Sequence, residues 1–226
     1  MKTNLIHLAM GTMLACGMVA CQSPKGFTIE HQGDTLTVVH VSAPGKYLLL
    51  PIQESSNEGK VKLETGSPAD MAMDVRLAVD SIEYYVPFEI PQGGDATVSI
   101  RKVAADAVCW EHIQLTDTFD TSNTDYYRPV YHHTPLYGWM NDPNGMVYKD
   151  GEYHLYFQYN PYGSKWGNMH WGHSVSTDLV HWNHLKPAIA RDTLGHIFSG
   201  STVVDKDNTA GYGNNAMIAL YTSASD

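Results

Sequence analysis

Between residues 27 and 103, apolar and polar positions alternate in short runs cut by turn signals. Thr35-Leu-Thr-Val-Val-His-Val41 follows the Gly33-Asp34 turn, and Tyr47-Leu-Leu-Leu50 follows Pro44-Gly45. Met71, Met73, Val75, Leu77 and Val79 interleave with Ala72, Asp74, Arg76, Ala78 and Asp80. A period of two is that of a strand with one buried face, and predicts a strand across residues 71–79. Ile82 to Ile90 and Ala96 to Val103 complete the set, on either side of Gln92-Gly-Gly-Asp95. Strands at this spacing predict an all-β, sandwich-like domain over residues 27–103. No grouping of reactive side chains stands out in it, so it reads as a packing or binding module.

From Ala104 to Tyr127 no period holds, and the polar run Thr116 to Asp125 has the composition of a linker, placed at residues 104–128. Strands then return. Gly145 to Lys149, Glu152 to Tyr159 and Met169 to Ser176 are three of them, and Ser176-Thr-Asp178 turns into a fourth at Val180-His-Trp182. A strand-turn unit of about 45 residues has the size of a propeller blade. A second unit starts at Ile197 to Val204 and continues at Met217 to Thr222.

The first residues read as an address. Met1-Lys-Thr-Asn4 carries one basic side chain, and Leu5 to Ala20 is mostly apolar. That stretch is shorter than the about 20 residues a membrane span needs, and it fits a secretory signal. Met18-Val-Ala-Cys21 resembles the lipobox of bacterial lipoproteins, whose cysteine is lipidated. Met13-Leu-Ala-Cys16 is an alternative, but polar Gln22-Ser-Pro-Lys25 follows Cys21 directly. A signal over residues 1–21 with a lipid anchor at Cys21 is therefore expected, which puts the protein at the periplasmic or cell surface. An ordinary signal peptide that happens to contain cysteine is the other reading.

Composition narrows the picture. A net charge of −10 argues against a nucleic-acid partner, because binding phosphates needs a basic face. With Cys16 removed and Cys21 lipidated, Cys109 has no partner for a disulfide and reads as a small buried hydrophobe. Aromatic residues number 17 in residues 126–226 against 7 in residues 1–125, and 8 of the 12 histidines lie in the later part. Such crowding suits a propeller core or a sugar-binding surface, since sugars stack flat apolar faces on rings. His170 and His173 invite a metal reading, but positions three apart on a strand face opposite ways and chelate poorly.

The chemistry concentrates in Trp139-Met-Asn-Asp-Pro-Asn-Gly145. Asp142-Pro-Asn-Gly145 alone is good turn chemistry, and predicts a loop whose amides would hold the Asp142 carboxylate ionised, as suits a nucleophile. Asn141 and Gln158 can hydrogen-bond sugar hydroxyls, and Trp139 and Trp166 offer flat apolar faces. Asp178 reads as a turn acid.

Together with Phe157-Gln-Tyr-Asn-Pro161, Trp166-Gly-Asn-Met-His-Trp-Gly-His173, Ser176-Thr-Asp-Leu-Val-His-Trp182 and Phe198-Ser-Gly-Ser201, that motif resembles glycoside hydrolase family 32. The family comprises invertases, levanases and inulinases. The resemblance covers residues 129–226. It implies a five-bladed β-propeller, of which the first one to two blades are present, and a retaining glycosidase acting on fructans or sucrose. It implies Asp142 as nucleophile, and Trp139, Asn141, Gln158, Trp166, Phe198 and Ser199 around the fructosyl subsite. It implies neither metal nor cofactor. Residues 27–103 resemble, less closely, an additional N-terminal β-domain of levan-active members.

The resemblance also implies an acid/base Glu in a Glu-Cys motif and a further acid in Arg-Asp-Pro. Neither motif occurs: Cys109 follows Val108, and Arg191-Asp192 is followed by Thr193 and precedes Phe198-Ser-Gly200. The 226-residue chain is therefore expected to be truncated and inactive by itself. A fructan-binding surface lipoprotein that lacks catalysis is the alternative, and propellers acting on arabinose polymers are a third. Levan, inulin and sucrose stay open as substrates, as does endo or exo action.

Overall fold

The computed structural model describes residues 25–91, 94–122 and 126–225. The expected signal peptide and Cys21 lie outside the described residues.

The first part of the chain forms two sheets. β1 (Phe27–His31), β2 (Leu36–Val41), β4 (Gly59–Leu63), β5 (Ala72–Val75) and β7 (Ala96–Arg101) make a five-stranded sheet in the order β1-β2-β7-β4-β5. β3 (Tyr47–Ile52), β6 (Tyr84–Glu89) and β8 (Gln114–Thr116) make a second in the order β6-β3-β8. Every pairing is antiparallel. Val39, Val61, Val98 and Ile100 of one sheet and Leu48, Leu50, Val86 and Phe88 of the other share a single buried core, so the sheets pack face to face.

Two expectations for this part need correction. The strand predicted over residues 71–79 is confined to β5, Ala72–Val75. Leu77 stays buried through a single bridge to Ile52, but Val79 is exposed. Ala78 is buried in its place, so the alternation of burial ends at Leu77, where the chain skirts the core without a continuing ladder. The second correction concerns residues 104–128. The helical turn α1 (Cys109–His112) and β8 fall in this stretch, and Ala107, Cys109, Trp110 and Ile113 are buried in the sandwich core. Trp110 fixes the turn by donating its indole N–H to Ala104 O at 2.7 Å. The polar stretch suited to a linker therefore starts only after β8.

The second part contains a four-stranded antiparallel meander. β9 (Trp139–Lys149), β10 (Glu152–Asn160), β11 (His170–Ser176) and β12 (Asn183–Ile189) lie side by side in chain order. β12 replaces the strand expected at residues 180–182. There Asp178 accepts from the backbone N–H groups of Val180 and His181 (2.9 and 2.8 Å), closing a turn that delays the strand to Asn183. Pro187 is tolerated because β12 is the sheet edge. A further pair, β13 (His196–Asp205) and β14 (Ala216–Ala224), packs against β9. Tyr156, Trp171 and Ile197 fill the space between.

The two parts are joined by polar bonds. Arg191 Nη1 donates to Asp74 Oδ2 at 3.0 Å and to Asn168 Oδ1 at 2.9 Å. Asn168 pairs with the Asp74 backbone in both directions, at 2.8 and 2.7 Å. Lys186 also reaches across to Glu89, at 2.7 Å, while within the sandwich Lys60 pairs with Asp74 at 2.5 Å.

Candidate active site

Asp142-Pro-Asn-Gly145 is not a turn. It lies inside β9, and the expected loop is overridden by pairing with β10. Met140 faces Tyr159 and Pro143 faces Phe157, so three steps on β9 match two on β10. Asn141 and Asp142 are thus both placed opposite Gln158. A bulge that sets two residues against one is a way to aim consecutive side chains at one point. A second bulge follows, with Asn144 opposite Tyr156 and Val147 opposite His154.

Gly145 sits in this second bulge with φ 23°. A Cβ there would lie 2.3 Å from the Thr202 backbone nitrogen. Only glycine lets β13 approach β9 this closely, and that approach delivers Phe198 and Ser199 to the bulged residues.

The result is a cavity of about 390 Å³ lined by Asn141, Asp142, Gln158, Trp166, Phe198, Ser199 and Thr222. Six residues selected from the sequence converge here. Ser199 Oγ donates to Asp142 Oδ2 at 2.8 Å. The Trp166 ring lies edge-on to Phe198, with centroids 6.2 Å apart. Gln158 is buried and donates through Nε2 to Ile197 O at 2.9 Å. With the Asn144 amide turned so that its oxygen accepts, it takes bonds from Gln158 Nε2 and Trp171 Nε1, each at 3.0 Å.

Trp139 is not among the lining residues. It lies beyond the bulge, opposite Asn160, and lines a separate hollow with Pro135, Leu136 and Tyr137. The extra residue at Asn141–Asp142 breaks the simple register that the motif spacing suggests. Thr222 of β14 and the buried Asn144 were not anticipated. Thr222 sits in an ordinary alternating strand, and Asn144 is hidden within the turn-like tetrapeptide.

Among the lining residues Asp142 is the one carboxylate. Arg191 and Asp192 do not supply another: Arg191 is tied to Asp74, and Asp192 accepts from Leu194 N at 2.9 Å in its own turn. Asp178 is likewise spent on its turn. His181 and the backbone amides of His181 and Val180 hold its carboxyl well below the usual carboxylate range.

The histidines serve packing. His170 is buried and hydrogen-bonds the Asn168 carbonyl, and burial lowers its pKa to about 4. His173 stacks on Tyr156 and His154 and is lowered to about 4 by burial and the neighbouring His154. His133 lies 2.9 Å from Ser174 Oγ and is lowered to about 4 by burial and by His184. Among the described residues no group of three or more His, Cys, Asp and Glu is placed to hold a metal ion.

Comparison with known proteins agrees with the motifs. Residues 132–226 match the N-terminal domain of glycosyl hydrolases family 32, and residues 33–131 match a domain of unknown function, DUF4980. A levanase of Bacillus subtilis is 58% identical over 110 residues, covering 47% of this chain and 16% of the levanase. An extracellular exo-inulinase of Aspergillus awamori is 48% identical over 105 residues, covering 43% of this chain and 20% of the inulinase. The solved fructofuranosidase of Schwanniomyces occidentalis, complexed with fructose, is 46% identical over 46% of this chain and 22% of its own, with a TM-score of 0.41. The chain thus spans about a fifth of the length of these relatives. Residues 132–226 of this chain are thus similar, along their whole length, to the N-terminal domain of the glycosyl hydrolases of family 32.

Proposed function

We propose that the chain carries the nucleophile side of a retaining β-fructosidase site, with fructan or sucrose as substrate. The observation that carries this reading is the convergence of Asn141, Asp142, Gln158, Trp166, Phe198 and Ser199 on one cavity. In this reading the four-stranded meander is the first blade of a five-bladed propeller and β13–β14 begin the second. Residues 27–116 form the accessory β-domain.

Trp166 and Phe198 give the fructosyl ring an apolar wall, and Asn141 and Gln158 meet its hydroxyls. Both N–H groups of Gln158 are engaged by Ile197 and Asn144. Its carbonyl oxygen is then the atom that accepts from the sugar. Asp142, aimed by Ser199, attacks the anomeric carbon, and the leaving oxygen takes a proton from a second carboxylic acid. A retaining site places the two carboxyl groups about 5–5.5 Å apart. The cavity has only Asp142 among the described residues, and losing the general acid costs about 10²- to 10⁴-fold. The 226-residue chain therefore binds a fructosyl unit without useful turnover, and catalysis needs a carboxylate from outside the described residues.

Export and lipidation at Cys21 follow from the lipobox-like Met18-Val-Ala-Cys21. The extracellular exo-inulinase among the relatives supports export. The levanase supports levan as a substrate. The single carboxylate in the cavity keeps the second reading, a fructan-binding surface lipoprotein, in play.

β-Fructofuranosyl fluoride tests the nucleophile directly. Fluoride departs with the C2–F electron pair as the bond from C2 to the Asp142 carboxylate forms, so no acid is needed. Mass spectrometry is expected to find one fructosyl adduct on the peptide containing Asp142, and none in Asp142→Asn. Levan binding without any adduct would favour the binding protein. Ready release of fructose from levan, inulin or sucrose by the unaltered chain would overturn the claim of inactivity.

A further inference from the structure

Trp166 lies on the segment joining β10 to β11, and the residues just before it are held from the sandwich by Glu54. Glu54, just after β3, is nearly buried. Its Oε1 accepts from Ser164 N and from Ser164 Oγ, each at 2.7 Å, and from the Tyr84 hydroxyl. Lys165 Nζ donates to the Glu54 carbonyl at 2.6 Å and lies 3.7 Å from Oε2. Burial works to raise the Glu54 pKa, but these bonds and the Lys165 charge outweigh it and hold the carboxyl below its usual range. Ser164 and Lys165 immediately precede Trp166.

The inner side of the same segment is fixed by its own domain. Asn160 Nδ2 donates to Lys165 O at 2.8 Å, and Asn160 Oδ1 accepts from Tyr162 N at 3.0 Å and Asn168 Nδ2 at 3.2 Å. Asn168 in turn is bonded to the Asp74 backbone of the sandwich. The segment is therefore gripped at both ends across the domain boundary, with Trp166 between the grips. Trp166 itself is half exposed and meets the rings of His196 and Phe198 at 5.2 and 6.2 Å. Those two contacts leave its position dependent on the backbone that carries it.

We propose that Glu54 of the N-terminal sandwich is a positioning residue for Trp166, so that this domain sets the affinity of the sugar pocket it does not line. The proposal rests on the fructosyl-pocket reading for its ligand, and on the hydrogen bonds alone for the grip. Removing a charged acceptor of several donors frees Ser164 and takes away the Lys165 counter-charge, while the Lys165 bond to the Glu54 carbonyl stays and no cavity-lining residue is touched.

The test uses the chain with Glu54→Ala and Glu54→Gln, read by amide hydrogen exchange, thermal unfolding and fructose titration. In Glu54→Ala, exchange across residues 162–168 is expected to accelerate about tenfold while the amides of β2 and β7 hold, and the fructose Kd to rise about tenfold. Glu54→Gln keeps one acceptor oxygen and is expected to recover part of both losses. Unchanged exchange in residues 162–168 would overturn the proposal. So would an equal acceleration in β2 and β7, because that would make Glu54 a general stabiliser. If the unaltered chain binds no fructose, the sugar-pocket reading fails alone, and the exchange measurement still decides whether Glu54 holds the segment.

Discussion

Ser199 Oγ donates to Asp142 Oδ2 at 2.8 Å, joining the first residues of β13 to the bulge of β9. Asp142 is solvent-exposed, so its carboxylate needs a partner to hold one orientation. Ser199→Ala is expected to leave the fold intact and to slow labelling by fructosyl fluoride about tenfold, the worth of one hydrogen bond to a charged group near its lower limit. Time-resolved mass spectrometry of the adduct reads the rate. An unchanged rate would show that the bulge alone aims Asp142.

The approach of β13 to β9 depends on Gly145. Its missing Cβ leaves room for the Thr202 nitrogen and side chain, and backbone cannot retreat as a flexible side chain can. Gly145→Ala is expected to lower stability by about 1–3 kcal/mol, the usual cost of forcing atoms into a packed contact. Fructose affinity should fall with it, since Phe198 and Ser199 ride on β13. Urea unfolding paired with fructose titration checks both. A stable variant with full affinity would mean that β13 can shift without cost.

His133, His170 and His173 each have a folded pKa of about 4, below the ordinary value of 6.5, and burial is the main cause. The unfolded chain then binds more protons than the folded one between these values. Stability conferred by the neutral rings is complete above about pH 6.5 and drains away as pH falls towards 4, with a slope of up to about 1.4 kcal/mol per pH unit for each histidine. Urea midpoints from pH 7.5 to 4.5 should fall steadily. His170→Gln should flatten the profile, because His170 is the most buried of the three and no solvent screens it. A flat profile in the unaltered chain would refute the assignment.

The sequence disclosed the fold wherever burial alternates strictly, and hid it elsewhere for identifiable reasons. β2 was legible because it buries every second residue, and β7 because apolar Val98 and Ile100 alternate with Thr97, Ser99 and Arg101 in its sequence. β4 was not: in Gly59-Lys-Val-Lys-Leu63 it offers one buried valine between two lysines, and its central place depends on Gly59 and on Lys60 finding Asp74. α1 is a single turn, too short for a helical period to show. Asp142-Pro-Asn-Gly145 carried a true turn preference that pairing with β10 and the close packing of β13 overrode. The pocket residues were legible because the motifs name them one by one. Glu54 was not, because Gln53-Glu-Ser-Ser-Asn-Glu58 has the look of any polar loop, and its role appears only when Ser164 and Lys165 are brought to it.

Trp139 and Trp166 flank the same motifs but line different hollows. If the cavity around Asp142 is the fructosyl pocket, truncating one ring should cost affinity and truncating the other should not. Trp166→Ala is expected to raise the fructose Kd about tenfold, close to 1.4 kcal/mol for a lost apolar wall, and Trp139→Ala to change it less than about twofold. Stability should move the other way. Trp139 belongs to the paired body of β9, while Trp166 is half exposed on a connecting segment, so Trp139→Ala should lower the unfolding midpoint more. Calorimetric titration and thermal melts on the two variants separate these effects. A large loss of affinity in Trp139→Ala with an unshifted melt would place that ring at the sugar and would require the fructosyl unit to extend past the bulge.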